Sequence, residues 1–238
     1  MKNVKEKLIV ALDFDNENSA IRMVDRLSGE VRFFKVGFEL FSSCGPSIVK
    51  RIKDRGCDVF LDLKYHDIPN TVAKAAASIT KLGVYMFNVH ASGGYDMMAR
   101  TREAVTAEAA RLKIDRPKIL AVTVLTSMDE KALKKIGVDD NINSQVIRLA
   151  KLAKEAGLDG VVASPKETAA IRESIDKSFL IITPGVRPAW SPADDQKRIA
   201  TPMEAVKSGA NFVVIGRPIT TAKDPAMAAR DIFKEMGS

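Results

Sequence analysis

Residues 60–71 read FLDLKYHDIPNT, and three of their side chains offer acid–base chemistry: Asp62, Lys64 and Asp67. The apolar run 57–63 has the length and boundaries of a buried strand. In a regular strand Asp62 and Lys64 share one face, about 6.6 Å apart along the chain, while Leu61 and Leu63 occupy the other. Asp67 follows, then Pro69, which suits the first turn of a helix. Two carboxylates around an ammonium are costly to gather unless they do chemistry, although structural ion pairs also shift pKa values. Both a structural ion pair at a strand end and a proton-handling centre fit the spacing.

A second constellation handles anions. IGRP at 215–218 places a glycine and an arginine directly after a buried strand, and TPGVRP at 183–188 supplies another such pair. Glycine lets a ligand approach the backbone closely, and arginine can fork onto phosphate oxygens. Each pair alone reads equally as a turn with a surface arginine. Segment 187–197 is polar, carries the single tryptophan, Trp190, and is expected to form a mobile lid. Trp190 fits either a packing anchor or a ligand contact.

Other chemistries find little support. His66 and His90 are the only histidines, and no HExxH or HxxxH spacing occurs, so no metal site is expected. His90 is expected to be a hydrogen-bonded structural residue. No GxSxG, GxGxxG or P-loop pattern is present. Cys44 and Cys57 form no CxxC pattern, which suits two structural thiols in a reducing cytoplasm.

These residues must be positioned by repeating units. Apolar, β-branched runs at 8–12, 31–37, 57–63, 84–90, 118–125, 160–163, 179–183 and 212–216 alternate with amphipathic segments. The latter are 19–27, 48–55, 71–82, 96–112, 144–156, 168–175, 202–208 and 225–236. Eight strand–helix pairs in 238 residues fit an α/β fold of the (β/α)₈ TIM-barrel type, read as one domain over 1–238. A doubly wound open sheet shows the same alternation. The polar strand endings favour the barrel: Asp13, Lys35, Asp62 with Lys64, Asn88 with His90, Thr123 with Thr126, Thr183 with Arg187, and Gly216 with Arg217. In a barrel all of these converge on the C-terminal rim, where catalytic residues collect and where loops after strands seven and eight often bind phosphate.

The net charge of +7 comes from scattered basic residues with no aromatic interleaving, which reads as solvated helix faces rather than a nucleic-acid surface. A modest positive field also helps collect an anionic small molecule. No apolar run has the length of a membrane span, and the N-terminal residues make no convincing signal peptide.

Taken together, VALD at 10–13, KVG at 35–37, DLKYHDIPNT at 62–71, NVHASGG at 88–94, VTVLTS at 122–127, TPGVRP at 183–188, Asp195-Gln196 and IGRP at 215–218 resemble the orotidine 5′-phosphate decarboxylase family. The resemblance spans nearly the whole chain. It implies a carboxy-lyase that converts orotidine 5′-phosphate to uridine 5′-phosphate and carbon dioxide, with no metal and no organic cofactor. It also implies a charged tetrad of Lys35, Asp62, Lys64 and Asp67, with Lys64 the proton donor. By the same resemblance Asp13 and Lys35 hold ribose hydroxyls, and Thr126 and Ser127 face the pyrimidine. Arg187, Gln196, Gly216 and Arg217 hold the phosphate, while Asp67, Ile68 and Thr71 come from the partner subunit of a homodimer.

Two rivals fit parts of the pattern. A sugar-phosphate decarboxylase or epimerase on the same barrel shares an Asp-x-Lys-x-x-Asp motif but uses a metal, which an ammonium among the carboxylates opposes. A nucleotide- or RNA-binding module would explain charge and phosphate loops but not the tetrad.

Overall fold

A computed structural model of the chain describes residues 4–191 and 200–237. The strands are β1 Leu8–Ala11, β2 Phe33–Val36, β3 Asp58–Tyr65, β4 Met86–His90, β5 Lys118–Val122, β6 Gly160–Val162, β7 Leu180–Thr183 and β8 Phe212–Ile215. They pair in parallel in sequence order, and β8 closes onto β1 with Val10 opposite Ile215. The closed barrel settles the choice against an open sheet.

Strand alternation explains both layers of the core. On β1, Ile9 and Ala11 point into the barrel, while Leu8 and Val10 face the surrounding helices. On β3, Phe60 points inward, and Leu61 and Leu63 pack outward. Phe33, Phe60, Met86, Leu120, Ile182 and Val214 fill the barrel as stacked layers rather than leaving a pore. Asp62, two residues beyond Phe60, is therefore carried on the inner face at the top of that stack.

The outer ring begins with α1 Glu17–Leu27, α2 Phe38–Cys44, α3 Ser47–Lys53, α4 Pro69–Thr80 and α5 Tyr95–Leu112. It continues with α6 Glu130–Lys135, α7 Ile142–Glu155, α8 Thr168–Ser174, α9 Pro202–Lys207, α10 Arg217–Thr220 and α11 Pro225–Gly237. Local chemistry sets several starts. Asn16 and Asn141 accept from the backbone N–H groups of Ser19 and Ser144, and Pro69 occupies the first turn of α4. No helix among the described residues is long and apolar enough to cross a membrane.

Three helices, α2, α6 and α10, are additions to the segments expected from sequence. Most strands differ from expectation by only one or two residues at an end, and two differ in ways that shape the site. β5 ends at Val122 rather than 125, so Thr123, Val124, Leu125 and Thr126 belong to the rim. β3 runs on to Tyr65, but its register against β4 shifts between Leu61 and Tyr65. Lys64 there has φ of 42°, the left-handed region that disfavours side-chain-bearing residues. The regular-strand spacing expected for Asp62 and Lys64 is thus replaced by a bulge, the device by which strands re-aim a side chain beside a site.

Candidate active site

The rim brings four charged side chains into one line. Lys64 Nζ donates to Asp62 Oδ1 at 2.7 Å. The other oxygen, Asp62 Oδ2, lies 3.6 Å from Lys35 Nζ, which in turn donates to Asp13 Oδ1 at 3.0 Å. Each comes from the end of a different strand, except that Asp62 and Lys64 share β3. The centre of the line is well shielded, with side-chain exposures of 13% for Asp62 and 12% for Lys35, whereas Asp13 stands at 62%.

Electrostatics follow from that placement. Burial pushes the Asp62 carboxyl up, but the ammoniums of Lys35 and Lys64, with hydrogen bonds from Lys64 and Asn88, outweigh it. The net shift is downward, so Asp62 stays ionised. An ammonium has three donors, and Asp62 takes the only hydrogen bond that Lys64 Nζ makes among the described residues. The remaining donors are available to a ligand in the cavity of about 160 Å³ beside it. Lys35, Asp62 and Lys64 line one side of that cavity, and Val122, Val162, Pro184 and Val214 line much of the rest. An apolar wall keeps the local dielectric low, which strengthens every charge interaction inside.

Two glycines make room for this arrangement. A Cβ on Gly37 would lie 2.8 Å from Lys35 Nζ, whose position the two carboxylates fix. A Cβ on Gly216 would meet Ala11 Cβ at 3.4 Å and Asp13 Oδ2 at 3.6 Å. Gly216 thus sits directly beside Asp13, with Arg217 following as the first residue of α10. Across the neighbouring strand top, Gly185 adopts φ of 75° and Arg187 is buried, its backbone N–H donating to Ala200 O at 3.0 Å. The two glycine–arginine pairs therefore follow adjacent paired strands, β7 and β8.

Thr126 lines the cavity, while Ser127 is exposed on the same loop. Asp67, Ile68 and Thr71 are exposed. Asp67 Oδ1 accepts from the backbone N–H of Ile68 at 2.6 Å, and Asp67 forms no ion pair with a described residue. Gln196, and the expected lid from 192 onward, lie outside the described residues; Trp190 is 54% exposed.

His90 departs from expectation. It makes no side-chain hydrogen bond among the described residues, and its ring packs against His66 with centroids 5.4 Å apart. Burial, then the nearby His66 and Lys64, hold its pKa below the usual imidazole value, so it remains neutral at physiological pH. Asn88, noted from sequence only as a polar strand ending, is fully buried and bonds to both Asp62 and the Lys64 backbone. An amide inside the apolar strand MFNVH was the available signal, because buried polar groups need partners. Phe38 was not singled out; its exposed ring lies 5.7 Å from Lys64 Nζ.

Among the described residues no group of three His, Cys, Asp or Glu side chains is placed to hold a metal ion. Asp62 is flanked on both oxygens by ammoniums, which a divalent cation would have to displace. A larger cavity, about 460 Å³, opens at the opposite end of the barrel. Its Arg32 and Asp159 are engaged with Asp58 and Arg116, and conservation of structure rather than chemistry is the usual business of that face.

Charged groups on several strand ends, converging over a filled barrel and beside two glycine–arginine loops, define a (β/α)₈-barrel enzyme. The sequence matches the family described as orotidine 5′-phosphate decarboxylase / HUMPS over residues 6–232. An orotidine 5′-phosphate decarboxylase of Moorella thermoacetica is 53% identical over 235 residues, covering 98% of this chain and 93% of its own length. The crystal structure of orotidine 5′-phosphate decarboxylase from Lactobacillus acidophilus aligns with a TM-score of 0.85 at 40% identity, over 98% of this chain and 100% of the other. That of orotidine 5′-phosphate decarboxylase from Pyrococcus horikoshii aligns at 0.77 and 26% identity, over 97% of this chain and 99% of the other. The chain belongs to the orotidine 5′-phosphate decarboxylase family.

Proposed function

We propose that the rim site decarboxylates orotidine 5′-phosphate to uridine 5′-phosphate, with Lys64 delivering the proton and two copies of the chain completing each other's sites. The observation that carries this reading is the shielded Asp62 held between two ammoniums, one of which keeps donors facing the cavity.

The chemistry needs such a centre. When the C–C bond to the carboxylate breaks, carbon dioxide leaves and the electron pair stays on an sp² ring carbon with nowhere to delocalise. The uncatalysed step is extremely slow, so the site must supply on the order of 20 kcal/mol of barrier lowering. A fixed ammonium close to the developing charge, in a low-dielectric cavity, stabilises it without reorganisation. Lys64 then transfers one proton to that carbon, becomes a neutral amine and is recharged from solvent. Asp62 orients Lys64 and, lying near the departing carboxylate, disfavours the ground state.

The other assignments extend the same reading. Asp13 and Lys35 hold ribose hydroxyls, Thr126 and Ser127 meet the pyrimidine, and Arg187, Gln196, Gly216 and Arg217 bind the phosphate. Binding energy from that remote phosphate can drive closure over the reacting end. Asp67, Ile68 and Thr71 act in the partner's site; the 67% exposure of Ile68 leaves its apolar side chain accessible to a second copy. Two free cysteines suit a cytoplasmic enzyme.

The test is turnover of orotidine 5′-phosphate, followed by pyrimidine absorbance in excess chelator. Conversion that persists after exhaustive chelation is expected, because the ammoniums occupy the carboxylate that a metal would need. Failure to turn over this substrate, or activity that vanishes with chelator and returns with magnesium, would instead support the metal-dependent sugar-phosphate reading.

A further inference from the structure

We infer that Asn88 is a positioning residue for the reaction, the single side chain that fixes both the direction of Lys64 and the oxygen to which its ammonium is tied; this inference rests on the decarboxylase reading above. Its side chain is fully buried on β4, next to the register shift in β3. Asn88 Oδ1 accepts from the backbone N–H of Lys64 at 2.8 Å. Its Nδ2 donates to Asp62 Oδ1 at 2.7 Å, the same oxygen that accepts from Lys64 Nζ at 2.7 Å.

Each bond has a distinct consequence. The bulge takes the Lys64 N–H out of the regular ladder, and a left-handed φ of 42° is unfavourable for lysine. Such a conformation persists only where its surroundings over-determine it. The Asn88 carbonyl supplies that constraint and satisfies a donor that would otherwise be stranded. The amide group, meanwhile, holds Asp62 Oδ1 at a fixed point, so the lysine ammonium finds its partner in one place. A backbone N–H can meet only the oxygen of the amide, and a carboxylate only its NH₂, so the amide orientation is determined. Asn88 does not line the cavity, which separates its role from that of the groups that meet substrate.

Two substitutions test this against a purely structural role. Asn88→Ala removes both bonds. Asn88→Asp keeps the volume and the acceptor for the Lys64 N–H but replaces the donor with a carboxylate facing Asp62, so it is the variant that decides. Misplacement of a reacting group by about 1 Å can cost on the order of a hundredfold, and a loss of that size in kcat is expected for both. Affinity for uridylate should stay within about threefold of wild type, the split expected when positioning rather than binding is lost.

The pH profile supplies a readout that stability alone would not move. Two adjacent carboxylates raise the pKa of one of them. In Asn88→Asp the introduced carboxyl therefore takes up a proton as pH falls, and its O–H can donate to Asp62 in place of the amide. Its kcat relative to wild type should rise toward lower pH. A folded Asn88→Asp enzyme with wild-type kcat, a relative rate flat in pH, or equal losses in kcat and uridylate affinity would each overturn the inference. A wild-type chain that fails to turn over orotidine 5′-phosphate would instead strike the functional reading itself.

Discussion

Lys64→Ala is expected to lower kcat by at least about 10⁴-fold, the upper end for a single general acid, because it removes proton donor and charge stabiliser together. The fold should tolerate it. The side chain is 25% exposed and its ammonium faces the cavity rather than the core, so truncation opens no sealed void. Asp62 keeps its bond from Asn88 and its neighbour Lys35 at 3.6 Å, which holds the rest of the line in place. The phosphate-type loops sit on β7 and β8, across the barrel from β3. Binding of uridylate should therefore survive while turnover disappears, a split characteristic of an interaction made mainly in the transition state. Turnover assays, a thermal melt and a binding titration on one preparation check this. Retention of more than a few per cent of the wild-type rate would remove Lys64 from the role of proton donor.

Mixing Lys64→Ala with Asp67→Ala should restore activity that neither protein has alone. Within its own chain Asp67 is exposed, bonds to the adjacent Ile68 N–H and joins no ion pair with the described residues. The proposed reading has Asp67 complete the charged line from a second copy. In a two-fold dimer, what one subunit donates it also receives. A mixed dimer has one site with both lesions and one with neither. Random exchange makes about half the dimers mixed, so activity should recover to about a quarter of wild type under isologous symmetry. No recovery after verified subunit exchange would place Asp67 in its own chain's site, and the shared-site assignment would fail.

Much of this was legible in the sequence because repetition and alternation are strong signals. The eight strands are short and mostly apolar, and the polar endings noted on all of them but β6 lie where the closed barrel puts its rim. The pairing of Asp62 with Lys64 was legible for the same reason. What escaped was short or irregular. α2, α6 and α10 hold seven, six and four residues, too few for a helical period to show. α2 buries only Leu40 and leaves Phe38 in solvent, so its pattern looks like no amphipathic face. The bulge at Lys64 carries no glycine to mark it; its left-handed backbone is imposed by Asn88, distant in sequence. His90 misled because its partner is another histidine ring rather than a hydrogen-bonding group.

In the proposed mechanism an ammonium at this one position protonates the product carbon, and chemical restoration of that ammonium is the decisive experiment. Lys64→Cys, in a Cys44→Ser background, leaves Cys57 as the other thiol; burial pushes its pKa up and keeps it unreactive. Alkylation with bromoethylamine rebuilds a lysine-length side chain with sulfur in place of one methylene, whereas iodoacetamide adds a neutral group of similar bulk. Decarboxylation of orotidine 5′-phosphate should be absent before alkylation, return with the aminoethyl adduct and stay absent with the acetamide. Equal recovery with the neutral adduct, or none with an aminoethyl adduct verified by mass and still binding uridylate, would contradict the account.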